Sequence, residues 1–65
     1  MSEEKAEAVA AALGGESWHS GGGIWLVLIR RKDGKLVVLS DEAVCEYESQ
    51  EQFDEGEATS TIFLG

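Results

Sequence analysis

The apolar positions of the first thirteen residues recur with the period of an amphipathic helix. Four of them fall at i, i+3, i+4 and i+7 on one face: Ala6, Val9, Ala10 and Leu13. Ser2 is suited to cap the first turn, and Gly14 can adopt the left-handed conformation that ends many helices. We therefore expect a helix over residues 2–13, and its thin alanine stripe must dock on the rest of the chain to be stable.

The next ten residues, 14–23, contain five glycines and break this periodicity. Their composition predicts a loop, with a short strand around residues 17–19. Trp18 is expected to fold back onto the core as an anchor, because a large aromatic ring on a loop gains most from burial.

Two apolar runs then flank Asp33-Gly34, a dipeptide typical of tight two-residue hairpin turns. The runs cover residues 24–32 and 35–40, and a two-residue turn would place Ile29 opposite Val38. In this register both faces of the hairpin are apolar.

Residues 42–48 alternate, with three small or aromatic side chains on one side of a strand: Ala43, Cys45 and Tyr47. A single helix from residue 41 to 55 is the competing interpretation, and period 2 fits better than period 3.6. Ser49 opens a capping-box pattern with Gln52, and Gly56 can end the short helix that follows. Residues 58–64 are β-prone and predict a closing strand.

These elements predict one α+β domain over residues 1–65, with no linker and no targeting segment. Its N-terminal helix packs on one small, curled antiparallel sheet, in the order helix, central β-hairpin, third strand, short helix, last strand. One thin helix cannot cover two apolar hairpin faces. Either the sheet curls over itself or a second copy of the chain covers the other face. Because both hairpin faces are apolar, we predict a homodimer.

The charge balance narrows the possible partners. Thirteen acidic and five basic residues give a net charge of −8, which argues against direct nucleic-acid binding. The longest strongly apolar run is six residues, Ile24 to Ile29, too short to span a membrane. Cys45 is the one cysteine, which fits a reducing compartment, so we expect a cytoplasmic protein.

The charges are also segregated along the chain. Four of the five bases surround the predicted hairpin turn: Arg30, Arg31, Lys32 and Lys35. Residues 36–65 hold eight acids and no base. Three interpretations stay open: a simply solvated surface, docking of a basic protein, or an acidic inhibitor that mimics nucleic acid.

The candidate chemistry is sparse. A small-ligand or catalytic site at the Ser17–Gly23 loop would use His19 with a nearby serine or with Cys45. No nucleophile elbow is present, and a strand follows the glycines where a phosphate cradle needs a helix. One histidine and one cysteine cannot form a structural zinc site, and the acids at residues 54–57 lack the spacing of a calcium loop. We expect no metal and no cofactor.

The hypothesis these observations favour is a non-enzymatic protein-interaction module that self-associates or binds a protein partner. The two alternatives are the loop site at residues 17–23 and the acidic inhibitor of a basic protein. Whether the tryptophans are core or interface residues is open, although the scarcity of other large side chains favours burial. The candidate interaction residues are Trp18, His19, Trp25, Arg30, Arg31, Glu46 and Glu48.

Overall fold

The computed structural model describes residues 1–64. It is an α+β structure in which a five-stranded antiparallel sheet, ordered β1-β2-β3-β4-β5, carries two helices and does not close into a barrel. Each strand therefore pairs with the next along the chain, and β1 and β5 are the edges. The elements are α1 (Glu3–Leu13), β1 (Glu16–Gly21), β2 (Ile24–Arg30), β3 (Leu36–Leu39), β4 (Ala43–Tyr47), α2 (Gln50–Glu55) and β5 (Ser60–Phe63).

Both helices begin and end at the predicted capping residues. The Ser2 hydroxyl accepts a hydrogen bond from the backbone N–H of Lys5, and Gly14 ends α1 at φ 72°. The Ser49 hydroxyl accepts from the N–H of Gln52 at the start of α2. These caps satisfy backbone groups that have no partner within the helix, so local sequence is enough to set the bounds of both helices.

The short strand predicted around residues 17–19 of the glycine-rich segment is present, and it is longer than predicted: β1 covers Glu16–Gly21, so less of this segment is loop. β1 pairs along β2, with Ser17 opposite Val27 and His19 opposite Trp25. Gly22 and Gly23 lie at φ 60° and 78°, the paired positive values that a two-residue hairpin turn requires. Glycine here supplies a turn that continues the sheet.

The register of the central hairpin differs by one residue from the prediction. Ile29 lies opposite Val37, not Val38. The connection is a three-residue loop, since the N–H of Arg31 donates to the carbonyl of Lys35 at 2.9 Å and only Gly34 has a positive φ. A shift of one residue exchanges the two faces of β3.

The observed register defines an α1 face of the sheet. Its apolar residues are Trp25, Val27, Ile29, Val37, Leu39, Val44 and Ile62. α1 packs on β1 and β2, where Ala6, Ala10 and Val27 form a buried cluster. The small alanine side chains let the helix lie close to these two strands, and Val44 and Ile62 lie beyond this cluster.

The opposite, α2 face holds a second cluster. Its buried members are Leu28, Leu36 and Val38. Phe53 of α2 packs against them, with its ring 5.0 Å from that of Trp18 on β1 and 5.3 Å from that of Tyr47 on β4. Phe53 therefore contacts the rings of two strands that are three positions apart in the sheet. The small sheet is curled, and each face of the central hairpin packs against a helix of the same chain.

The second half of the chain follows the prediction. Residues 43–47 form a strand, as period 2 indicated, and not part of a long helix. Cys45 and Tyr47 lie on the α2 face, opposite Val38 and Leu36 respectively. β5 closes the sheet beside β4, with Ile62 opposite Val44.

Candidate interaction surface

The aromatic residues singled out from the sequence lie on β1 and β2. Trp18 is 41% exposed, so the expectation that it is buried is wrong, although its ring meets Phe53 edge-on. Its position on an edge strand explains this, because a neighbouring strand is present on one side only. Trp25 is half-buried against the α1 cluster, and the exposed His19 stacks on it at 4.7 Å and 19°.

The basic residues of the hairpin are held by partners within the chain. The Arg30 guanidinium lies 3.3 Å from a Glu16 carboxylate oxygen and donates to the Gln50 side chain at 2.7 Å. These contacts tie α2 to the start of β1. All of these groups are exposed, so each ion pair contributes little stability by itself.

Arg31 is shared between two acids. Its guanidinium lies 3.4 Å from Asp33 in the hairpin loop and 3.3 Å from Glu46 on β4. Glu48 is exposed after β4, and its backbone N–H donates to the side chain of Gln52. Acidic residues from distant segments of the chain therefore lie beside the basic residues of the hairpin and partly neutralise their charge.

Of the nucleophile pairs that the sequence offered, Cys45 with His19 is not assembled. Cys45 lies on the α2 face, whereas His19 stacks on Trp25 on the α1 face, so the sheet separates the thiol from the imidazole. Within residues 1–64, no group of three or more His, Cys, Asp or Glu side chains is placed to hold a metal ion.

Two titratable groups have shifted pKa values. Burial raises the pKa of Tyr47, and the nearby Cys45 raises it further. The pKa of Asp41 is lowered from its usual 3.8 by a 2.7 Å hydrogen bond from Lys5 and by the amino group of Met1, 3.1 Å away. Asp41 joins the start of α1 to the β3–β4 turn, so these contacts indicate a structural role.

The two most exposed large apolar side chains of the described residues, Phe63 and Ile62, are neighbours at the end of β5, and the exposed Leu64 follows them. Ile62 is 64% exposed, Phe63 78% and Leu64 55%. We call residues 60–64 the β5 edge. Ile62 lies on the α1 face and Phe63 on the α2 face, so the edge presents apolar groups on both sides of the sheet.

Backbone groups of the β5 edge also lack partners within the sheet. The N–H of Leu64 donates to the carbonyl of Glu42 at 2.8 Å. In an antiparallel ladder, alternate residues point their N–H and C=O groups toward the neighbouring strand. Ile62 and Ser60 therefore bond to β4, and the N–H and C=O groups of Thr61 and Phe63 point away from it.

The two edges of the sheet differ in how they are protected. β1 carries Glu16, has an irregular register between His19 and Gly21, and lies under α1. Charges, bulges and covering helices all discourage pairing with another strand. The β5 edge carries no charged side chain. The helices pack on other strands, α1 on β1 and β2 and α2 on β4. It is the less protected edge.

Sequence reasoning missed this surface. The predicted interaction residues all lie between positions 18 and 48, and residues 58–64 were expected only to close the sheet. The available signal was the uncharged stretch from Ala58 to Leu64. In a sheet whose strands follow chain order, the last strand is an edge, and an uncharged apolar edge is open to pairing.

No helix within residues 1–64 is both long and apolar enough to cross a membrane. Comparison of the chain with protein-family models, with curated proteins and with solved structures gave no match.

Proposed function

We propose that this protein is a non-enzymatic interaction module of the cytoplasm that docks a polypeptide strand along its β5 edge. The observation that carries the proposal is the coincidence of exposed apolar side chains and outward-pointing backbone groups at Thr61, Ile62 and Phe63. Either feature alone is common on protein surfaces. Together they supply what an added strand needs.

Strand addition uses both kinds of contact. Main-chain hydrogen bonds contribute affinity, and alternate side chains contribute specificity. A strand beside β5 would pair with the N–H and C=O groups of Thr61 and Phe63. It would also cover Ile62 on one face of the sheet and Phe63 on the other.

The loop-site alternative receives less support from the geometry. Gly22 and Gly23 form a hairpin turn, and His19 stacks on Trp25 as part of a paired strand. The acidic-inhibitor alternative depends on long-range charge, and the β5 edge itself is uncharged. The two interaction hypotheses therefore differ in salt dependence, because screening weakens charge docking far more than strand pairing.

Photo-crosslinking from the edge tests the proposal. A benzophenone amino acid replaces Phe63 in one variant and Ile24 in a control, since Ile24 is also an exposed apolar residue at 56%. We expect protein adducts from position 63 that persist in 0.5 M salt, and none from position 24. Equal labelling at both positions, or no labelling at 63, would contradict the proposal. Adducts that disappear in salt would favour the acidic inhibitor instead.

A further inference from the structure

We propose that the strand docked on the β5 edge is β5 of a second copy of this chain, paired antiparallel about a two-fold axis through Ile62. This inference rests on the proposed function and names its partner. The resulting dimer has one continuous sheet of ten strands.

The backbone pattern of β5 is self-complementary. Its outward-pointing groups belong to Thr61 and Phe63, on either side of Ile62. When Ile62 faces Ile62 of the second copy, Thr61 lies opposite Phe63 of that copy, and Phe63 lies opposite its Thr61. Each of these pairs exchanges two N–H···O=C bonds, so every outward group of both residues gains a partner.

The side chains also match in this register. A two-fold axis perpendicular to the sheet keeps each face continuous across the interface. On the α1 face, one lateral row runs Val27, Leu39, Val44, Ile62 and then continues through Ile62 and Val44 of the second copy. On the α2 face the two Phe63 rings become diagonal neighbours, within reach of each other.

Charge favours a second copy at this edge over a basic partner. Each chain carries −8, so two copies repel except where their surfaces are uncharged, and residues 58–64 carry no charge. A basic protein would gain no charge attraction from residues 58–64 themselves. Added salt screens the repulsion, so it should strengthen the dimer, the opposite of its effect on docking between opposite charges.

The size of the interface predicts a weak dimer. Three apolar side chains per copy, exposed by 55–78%, together with the paired backbone bury on the order of 1,000 Å² in total. This is the low end for specific complexes. We expect dissociation in the micromolar range or weaker, sensitive to single changes at Ile62.

Sedimentation equilibrium from 10 µM to 1 mM tests the association. The wild type should be a monomer–dimer equilibrium that shifts toward dimer between 0.05 and 0.5 M salt. Ile62→Lys should weaken dimerisation at least tenfold, and the matched change Ile24→Lys should leave it unaltered; circular dichroism confirms that both fold. A wild type that is monomeric throughout, or equal loss in both variants, overturns the proposal.

Disulfide trapping tests the register. In a Cys45→Ala background, Ile62→Cys places two thiols on facing residues with Cα atoms about 4.5 Å apart, which a disulfide can bridge. Phe63→Cys places them diagonally, more than 7 Å apart. Oxidation should give covalent dimers from the first variant and far fewer from the second; the reverse overturns the register. If the wild type is monomeric but position 63 still crosslinks other proteins, only the second copy is excluded and the proposed function stands.

Discussion

The backbone N–H of Leu64 donates a 2.8 Å hydrogen bond to the carbonyl of Glu42, and this bond sets which groups of the last strand face solvent. Through the alternation of the antiparallel ladder, it leaves the N–H and C=O of Thr61 and Phe63 pointing outward. The same alternation gives a direct test by proline, which removes one backbone N–H.

Thr61→Pro should be tolerated by the monomer, because the lost N–H points away from β4 and edge strands accept proline there. Ile62→Pro removes an N–H that bonds to β4, and we expect it to cost about 3 kcal/mol. Urea denaturation of both variants measures the difference. Similar costs for the two prolines would show that the alternation is assigned incorrectly.

Phe53→Ala should destabilise the protein by about 2–3 kcal/mol. The Phe53 ring contacts Trp18 and Tyr47 and covers the second apolar cluster, so its removal leaves that face open. Phe63→Ala is the matched control, since the same truncation at a residue that is 78% exposed should change monomer stability by under about 0.5 kcal/mol. Equal effects in thermal denaturation at low concentration would refute the covering role of α2.

Gly15→Ala should destabilise by about 1–3 kcal/mol. An added Cβ would lie 2.7 Å from the carbonyl oxygen of Leu28 and 3.0 Å from the Ile29 side chain, so the backbone must shift. Gly14→Ala meets open space and suffers only from its positive φ of 72°, at a cost of about 1 kcal/mol. Chemical denaturation ranks the two, and a larger loss at position 14 would contradict the close packing at Gly15.

Asp41→Asn should lower stability at pH 7 and matter less in acid. Lys5 and the Met1 amino group lower the folded-state pKa of Asp41, so its contribution is complete above the usual value of 3.8. It is lost as the pH falls through the lowered value. The free energies of unfolding of wild type and variant should converge as the pH falls below 3.8 and through the lowered pKa, and a gap independent of pH would argue against this ion pair.

Local signals in the sequence were sufficient for both helices and for the strand at residues 43–47. Ser2, Gly14, Ser49 and Gly56 act through contacts within a few residues, so caps can be predicted without the tertiary fold. Period 2 at residues 43–47 likewise identified a strand, because alternation reflects which side of that strand is buried.

The hairpin errors came from turn chemistry, which short motifs specify incompletely. Asp33-Gly34 fits both a two-residue turn and the last part of a three-residue loop, and only the pairing of the flanking strands distinguishes them. Gly22-Gly23 forms a two-residue turn, but the five glycines of residues 14–23 are equally typical of a loop, so composition alone does not identify the turn. A miscounted turn residue shifts every pair in β3.

The candidate surface was missed for a different reason. Exposure of Ile62 and Phe63 depends on β5 being an edge strand, and strand order is a property of the whole sheet. The clustering of basic residues in the sequence predicted an interaction surface at the hairpin, yet Arg30 and Arg31 have acidic partners within the chain. The uncharged segment carried the more informative pattern.

Amide hydrogen exchange at the β5 edge tests the central claim most directly. At 10 µM protein, the N–H groups of Thr61 and Phe63 should exchange rapidly while that of Ile62, bonded to β4, is protected. At 1 mM, the Thr61 and Phe63 amides should become protected, with no change at Trp18, a residue of the opposite edge strand β1. Amides of Thr61 and Phe63 whose exchange is the same at both concentrations would contradict pairing of this edge with a second copy.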